Sequence, residues 1–131
     1  MREIKFRAKN KSDEWCYGDL MHGNQYGDWI HETKTDVNYK IDPATVGQFT
    51  GLYDCTRSEE YPTGRPIYEG DILHVICKNP HWGSHSNYVV EWCEDGWILD
   101  GDPLSRWFKL YDLKVIGNVH DDHELLPWWE E

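Results

Sequence analysis

Ile4, Phe6 and Ala8 alternate with Lys5, Arg7 and Lys9, and a period of two with one apolar and one charged side predicts a strand with one wet face. Asn10-Lys11-Ser12-Asp13 supplies turn formers, and Trp15 and Tyr17 resume the alternation before Gly18-Asp19, so a hairpin is expected over residues 2–20. Gly23, Gly27 and Asp28 punctuate the next stretch, where Trp29-Ile30-His31 predicts a short strand facing Val37-Tyr39-Ile41 across a polar turn from Glu32 to Asp36. From Pro43 onward, Val46, Gln48 and Thr50 alternate with Gly47, Phe49 and Gly51. Glycine interruptions of this kind mark places where a sheet bends or backbones come close. Residues 53–66, broken by Asp54, Ser58, Pro62, Gly64 and Pro66, read as loop.

The stretch from Gly64 to Leu73 encodes a turn feeding a strand: Pro66 fixes φ, Gly70 tolerates a positive φ, and Ile72 and Val75 open a β-branched run. Four strands follow in the pattern, Ile72 to Lys78, Tyr88 to Cys93, Trp97 to Leu99 and Lys114 to Val119, with Glu94-Asp95-Gly96 as the turn between the middle pair. Short strands with tight turns predict a small closed barrel. The connection from Asp100 to Asp112 holds Pro103, Trp107, Phe108, Leu110 and Tyr111, apolar mass suited to plugging an open end. Asp121 and Glu124 have capping-box spacing, which predicts one helical turn through Leu125-Leu126 before Pro127 ends it. The fold class expected is mainly β: an N-terminal β meander over 1–60, a small barrel over 64–131 and one short C-terminal helical turn, within a single domain spanning 1–131.

Charge changes this picture. The net charge is −11, yet residues 1–11 hold Arg2, Lys5, Arg7, Lys9 and Lys11 against Glu3, so the remainder carries −15. An acidic chain is a poor non-specific binder of phosphate backbones, which makes nucleic acid an unlikely partner. Lys5, Arg7 and Lys9 are read as the solvent face of an edge strand, where charge blocks edge-to-edge association. The four cysteines, Cys16, Cys55, Cys77 and Cys93, read as reduced, partly buried small hydrophobes. Residues 1–20 contain no continuous apolar stretch, and no window approaches a membrane span, so the expected location is the cytoplasm.

Candidate chemistry is sparse. His74, Cys77, His81 and His85 are ligand types that suit zinc. On a strand over 72–78, however, His74 shares a face with Ile72 and Ile76 while Cys77 points with Leu73 and Val75, leaving only His81 and His85 easily convergent. No metal and no cofactor is therefore expected. Glu59 with Glu60, Asp100 with Asp102 and Asp121 with Asp122 are carboxylate pairs that an acidic chain produces by chance. Asp71, after a turn glycine, is read as an acceptor for backbone N–H groups. The cysteines lack an adjacent activating motif, so no catalytic residue is assigned and a non-enzymatic role is expected. Aromatic residues give the stronger lead. Eight Trp and eight Tyr, an aromatic share of 15%, exceed what a small core needs, so some rings are expected at the surface. Trp128-Trp129 after Pro127, and Trp82 in the insert, are the candidate interaction residues. Either they face a partner or they fold back beside Trp107 and Phe108.

Several separated islands carry a family resemblance: Ile4-Lys5-Phe6-Arg7-Ala8, Gln48 to Asp54, Ile67 to Ile72, Val89-Val90-Glu91-Trp92, and Val115-Ile116-Gly117-Asn118-Val119 with Glu124-Leu125-Leu126. In order and spacing they resemble the YopX family of small bacteriophage and prophage proteins. The resemblance implies a mostly β fold with an SH3-like barrel in the C-terminal part, a phage or prophage setting in a bacterial cell, and no established enzymatic activity. Departures lie at Cys55 to Tyr61, Asn79 to Ser86 and Pro127 to Glu131, where any function particular to this chain is expected. The leading expectation is binding to a host or phage protein, or self-association as a homo-oligomer, through aromatic and acidic surface. The alternatives are a nucleic-acid-associated β module using the basic N-terminal edge, or an acidic mimic of nucleic acid that occupies a basic host protein.

Overall fold

The computed structural model describes residues 5–23, 27–32, 34–77, 85–94 and 96–125. They are mainly β, arranged as antiparallel sheets with one short α-helix. The chain divides into two compact units, Met1–Gly51 and Leu52–Glu131. The division falls ahead of the loop 53–66 in which the sequence pattern places the break.

In the first unit β1 (Phe6–Lys9), β2 (Trp15–Gly23), β3 (Gly27–Glu32) and β4 (Val37–Ile41) form an antiparallel meander in the order β4-β3-β2-β1. β5 (Gly47–Tyr53) starts on the other side of β1, through Phe6 opposite Gln48 and Arg7 opposite Gly47, and runs on past Gly51. The β1–β2 turn is built by Asn10, whose Oδ1 accepts the N–H groups of Ser12 at 2.8 Å and Glu14 at 3.1 Å. β2 changes partner along its length: Trp15 to Gly18 face β1, and Asp19 to Gly23 face β3. Gly18 sits at that change, where a Cβ would run into the backbone carbonyl of His31. Ala8, Cys16, Ile30 and Ile41 form this unit's core, with Phe6, Leu20, Tyr39 and Val46 against it. The sheet curls, because Asn10 bridges Ile41 and the Asp42 N–H donates to the Lys9 carbonyl at 2.9 Å.

The wet-face reading of β1 is overturned. β1 lies between β2 and β5, and Arg7 and Lys9 are only 6% and 7% exposed. Trp15 is the reason. It stands directly opposite Lys9 and diagonally from Arg7, and its indole lies under both cations: the Arg7 guanidinium is 4.6 Å and the Lys9 ammonium 5.5 Å from the ring centre. Lys9 also reaches Asp13 at 3.0 Å. Long aliphatic stems cover the aromatic surface while the charged heads keep favourable electrostatic partners.

The second unit contains β6 (Pro66–Tyr68), β7 (Asp71–Cys77), β8 (His85–Cys93), β9 (Gly96–Leu99), β10 (Asp102–Pro103), α1 (Leu104–Leu110) and β11 (Tyr111–Asn118), followed by a 3₁₀ turn at His123–Leu125. Its sheet has the order β10-β9-β8-β7-β11, antiparallel throughout. Among the described residues no ladder joins β10 to β11, so the sheet is open where the sequence predicts closure. The expected plug is a helix: α1 buries Leu104 and packs Trp107 and Phe108 against the core of Ile67, Leu73, Val75, Val90, Leu99, Leu113 and Val115. Its apolar side chains cover the sheet face that a closing strand would otherwise enclose. The corner at position 70 has the expected form. Gly70 adopts a φ of 87°, its N–H donates to Val90 and its carbonyl accepts from Val119, both at 2.9 Å. Asp71, 1% exposed, accepts the Tyr68 N–H at 2.7 Å, as its place after a turn glycine predicts. The described residues contain no helix long and apolar enough to cross a membrane.

Candidate functional site

Strand periodicity places Tyr88, Trp92 and Trp97 on one side of the second unit's sheet. Tyr88, Val90 and Trp92 alternate on β8, and the register sets Trp92 opposite Trp97 and Val90 opposite Leu99 on β9. Val90 and Leu99 are buried beneath α1. Towards the β8–β9 turn that cover ends. Trp97 still packs on the core, whereas Trp92 is 56% exposed and stands edge-on to Trp97, with ring centres 4.7 Å apart and planes at 62°. Towards the other end Tyr88 meets Trp107 at 5.5 Å, and Trp107 meets Tyr111 at 5.1 Å. The Trp107 Nε1–H donates to the Leu99 carbonyl at 2.7 Å, which fixes the helix to β9.

Leu110, at the last turn of α1, is 57% exposed. With Asp102, Arg106, Trp107 and Tyr111 it lines a shallow cleft of about 270 Å³. Asp102 and Arg106 face each other across it at 4.0 Å, both largely solvated. That volume lies at the lower limit of small-ligand pockets, and an exposed leucine beside two aromatic rings suits a protein side chain. Of the aromatic positions that sequence singles out, Trp82, Trp128 and Trp129 lie outside the described residues. Trp92 and Leu110 were missed, although Trp92 ends one of the resemblance islands. The signal for Trp92 was available: its alternation with Val90 puts it on the core face of a strand that outruns its cover.

His81 lies outside the described residues. Cys77 and His85 lie on β7 and β8. His74 has Nδ1 2.8 Å from the Asn87 Oδ1, and the Asn87 amide in turn donates to the Leu125 carbonyl at 3.0 Å. That chain ties down the C-terminal turn. No group of three or more His, Cys, Asp or Glu that could hold a metal occurs among the described residues. Cys16, Cys55 and Cys93 are free thiols. Burial pushes the Cys16 thiol up, with Glu32 adding to it, and burial likewise raises Cys55, with the Asp54 and Asp112 charges adding to it. Both are held protonated, so iodoacetamide at about pH 8.5, near the ordinary cysteine pKa, is expected to alkylate them more slowly than an unstructured peptide cysteine. Mass-spectrometric labelling rates check this, and equal rates would refute it.

A carboxylate with a structural task was also missed. Asp54, 2% exposed, accepts hydrogen bonds from the N–H of Thr56 at 2.9 Å and of Arg65 at 2.7 Å on one oxygen. Its other oxygen takes the Thr56 hydroxyl at 2.9 Å and the Val115 N–H at 2.8 Å. The adjacent Cys55 N–H donates to the Leu113 carbonyl at 2.9 Å. Two residues of loop thus do for β11 what a neighbouring strand would do.

No curated protein matches the chain, and no solved structure does. The family model for YopX protein matches residues 5–127, a span that runs from the first strand through the C-terminal turn and takes in Asp54, Gly70, Asp71 and both tryptophans of the β8–β9 hairpin. The chain belongs to the YopX family.

Proposed function

We propose that this chain is a non-enzymatic phage or prophage accessory protein that acts in the bacterial cytoplasm by binding protein, either a host or phage partner or a further copy of itself, through the aromatic surface of its C-terminal unit. The observation that carries this reading is Trp92: a large indole left mostly in water, braced edge-on by a half-buried Trp97. Exposed aromatic rings held rigidly are the side chains that anchor protein interfaces, because little conformational entropy is lost when they are covered. Leu110 and the cleft beside it add a second exposed apolar patch, towards the other end of the same sheet. The SH3-like character of this unit belongs to the same proposal, supported by five short antiparallel strands, the register shift between Val115 and Gly117, and a helix closing one side. The nucleic-acid alternative draws no support from β1, whose Arg7 and Lys9 are spent on Trp15.

Trp92→Ala and Leu110→Ser, separately and together, are expected to leave the melting temperature within about 3 °C of wild type, since both side chains are more than half exposed. They are expected to abolish concentration-dependent association in sedimentation equilibrium, or retention of the partner that immobilised wild type captures. A wild type that sediments as a monomer and retains nothing would contradict the proposal.

A further inference from the structure

We propose that the β8–β9 hairpin is a docking site for a basic polypeptide segment, with an arginine of the partner laid on the exposed face of Trp92. This rests on the reading of the aromatic surface as an interface and adds the chemistry of what it takes. Trp92 offers an accessible indole, and Trp97, seated on the core, holds it in place. An indole face attracts a cation through its quadrupole, and a guanidinium can also stack flat upon it. The first unit already shows the chemistry, since Trp15 carries the Arg7 guanidinium at 4.6 Å in this same chain.

Charge selects the occupant. Residues 86–105 contain Glu91, Glu94, Asp95, Asp100 and Asp102 and no lysine or arginine, and Glu91, Glu94, Asp100 and Asp102 are exposed. The cation facing Asp102 is Arg106, at 4.0 Å and well solvated, too loose to neutralise the surface. An apolar partner docking on Trp92 would make no use of this negative field, and an acidic one would be repelled by it. Nucleic acid would be repelled by it as well. A basic segment satisfies both requirements at once: the carboxylates steer it in, and the indole receives its cation.

The test uses the full chain and a fluorescein-labelled hexa-arginine peptide, followed by anisotropy at about 50 mM and about 300 mM salt, across which the Debye length shortens markedly. Wild type is expected to bind with an affinity that falls at least about tenfold over that range. Trp92→Ala changes no charge and is expected to lose about fivefold at low salt, as is the double variant Glu91→Gln/Glu94→Gln. Glu59→Gln/Glu60→Gln removes the same charge from exposed loop positions and is expected to bind like wild type. Equal binding by Trp92→Ala, or an equal loss in the Glu59/Glu60 variant, would overturn the proposal in favour of diffuse attraction to an acidic protein. If the peptide fails to bind while Trp92→Ala still abolishes the association of wild type, the cation site falls and the aromatic interface stands. If Trp92→Ala changes neither, both fall.

Discussion

Replacing Asp54 with Ala is expected to destabilise the protein by about 3–5 kcal/mol, a fall in melting temperature of roughly 10–20 °C for a chain of this size. Its carboxylate accepts the N–H groups of Thr56, Arg65 and Val115 and the Thr56 hydroxyl from a position that is almost wholly buried. Alanine leaves those backbone donors without their acceptor, and each buried unmet donor costs about 1–3 kcal/mol. Asn does not restore the site. One carboxylate oxygen faces two backbone N–H groups and the other faces the Val115 N–H, so either orientation of an amide sets an NH₂ against a donor. Asp54→Asn is therefore expected to recover less than half of the loss. The variant also uncovers β11, since Cys55 is held on the Leu113 carbonyl by the same loop, and a bared edge invites pairing with other chains. Thermal unfolding by circular dichroism, with scattering to follow aggregation, checks both. Wild-type stability in Asp54→Ala would show that the loop is held in place by other contacts.

Gly18→Ala is the second large effect, about 2–4 kcal/mol. A Cβ at this position meets the His31 carbonyl, a backbone atom that cannot rotate away, so the clash is relieved only by parting β2 from β3. Gly96 is the contrasting case. It has a φ of 115° but nothing within 4 Å of where a Cβ would sit, so Gly96→Ala is expected to cost about 1 kcal/mol of backbone strain and no packing. Chemical denaturation of the two variants side by side separates steric exclusion from conformational preference. Equal losses would mean that β2 and β3 can shift apart freely at Gly18.

The sequence pattern was legible wherever a local rule decides the outcome. The meander appears with Trp29-Ile30-His31 against β4 in antiparallel register, because alternation and polar turns are local signals. Gly70 and Asp71 behave as a turn glycine and its following acceptor should. The residues that escaped are those whose state depends on distant chain. Arg7 and Lys9 alternate as a wet face, but a tryptophan across the turn covers them. The helix α1 is only seven residues long and begins after Pro103 with no side-chain cap, so neither its length nor its start is signalled locally. Asp54 in a loop resembles any turn carboxylate until Val115, 61 residues on, is found on it. Trp92 continues the core face of β8 yet is exposed, a fact about cover that no strand pattern contains.

Amide hydrogen exchange, compared between the free protein and its associated form, tests the binding account most directly. The account predicts added protection on residues 90–94 and 96–99 of the hairpin and on Leu104–Leu110, with β3 and β4 exchanging as before. Protection confined to β3 and β4, or association that leaves exchange unchanged on both the hairpin and the helix, would contradict it.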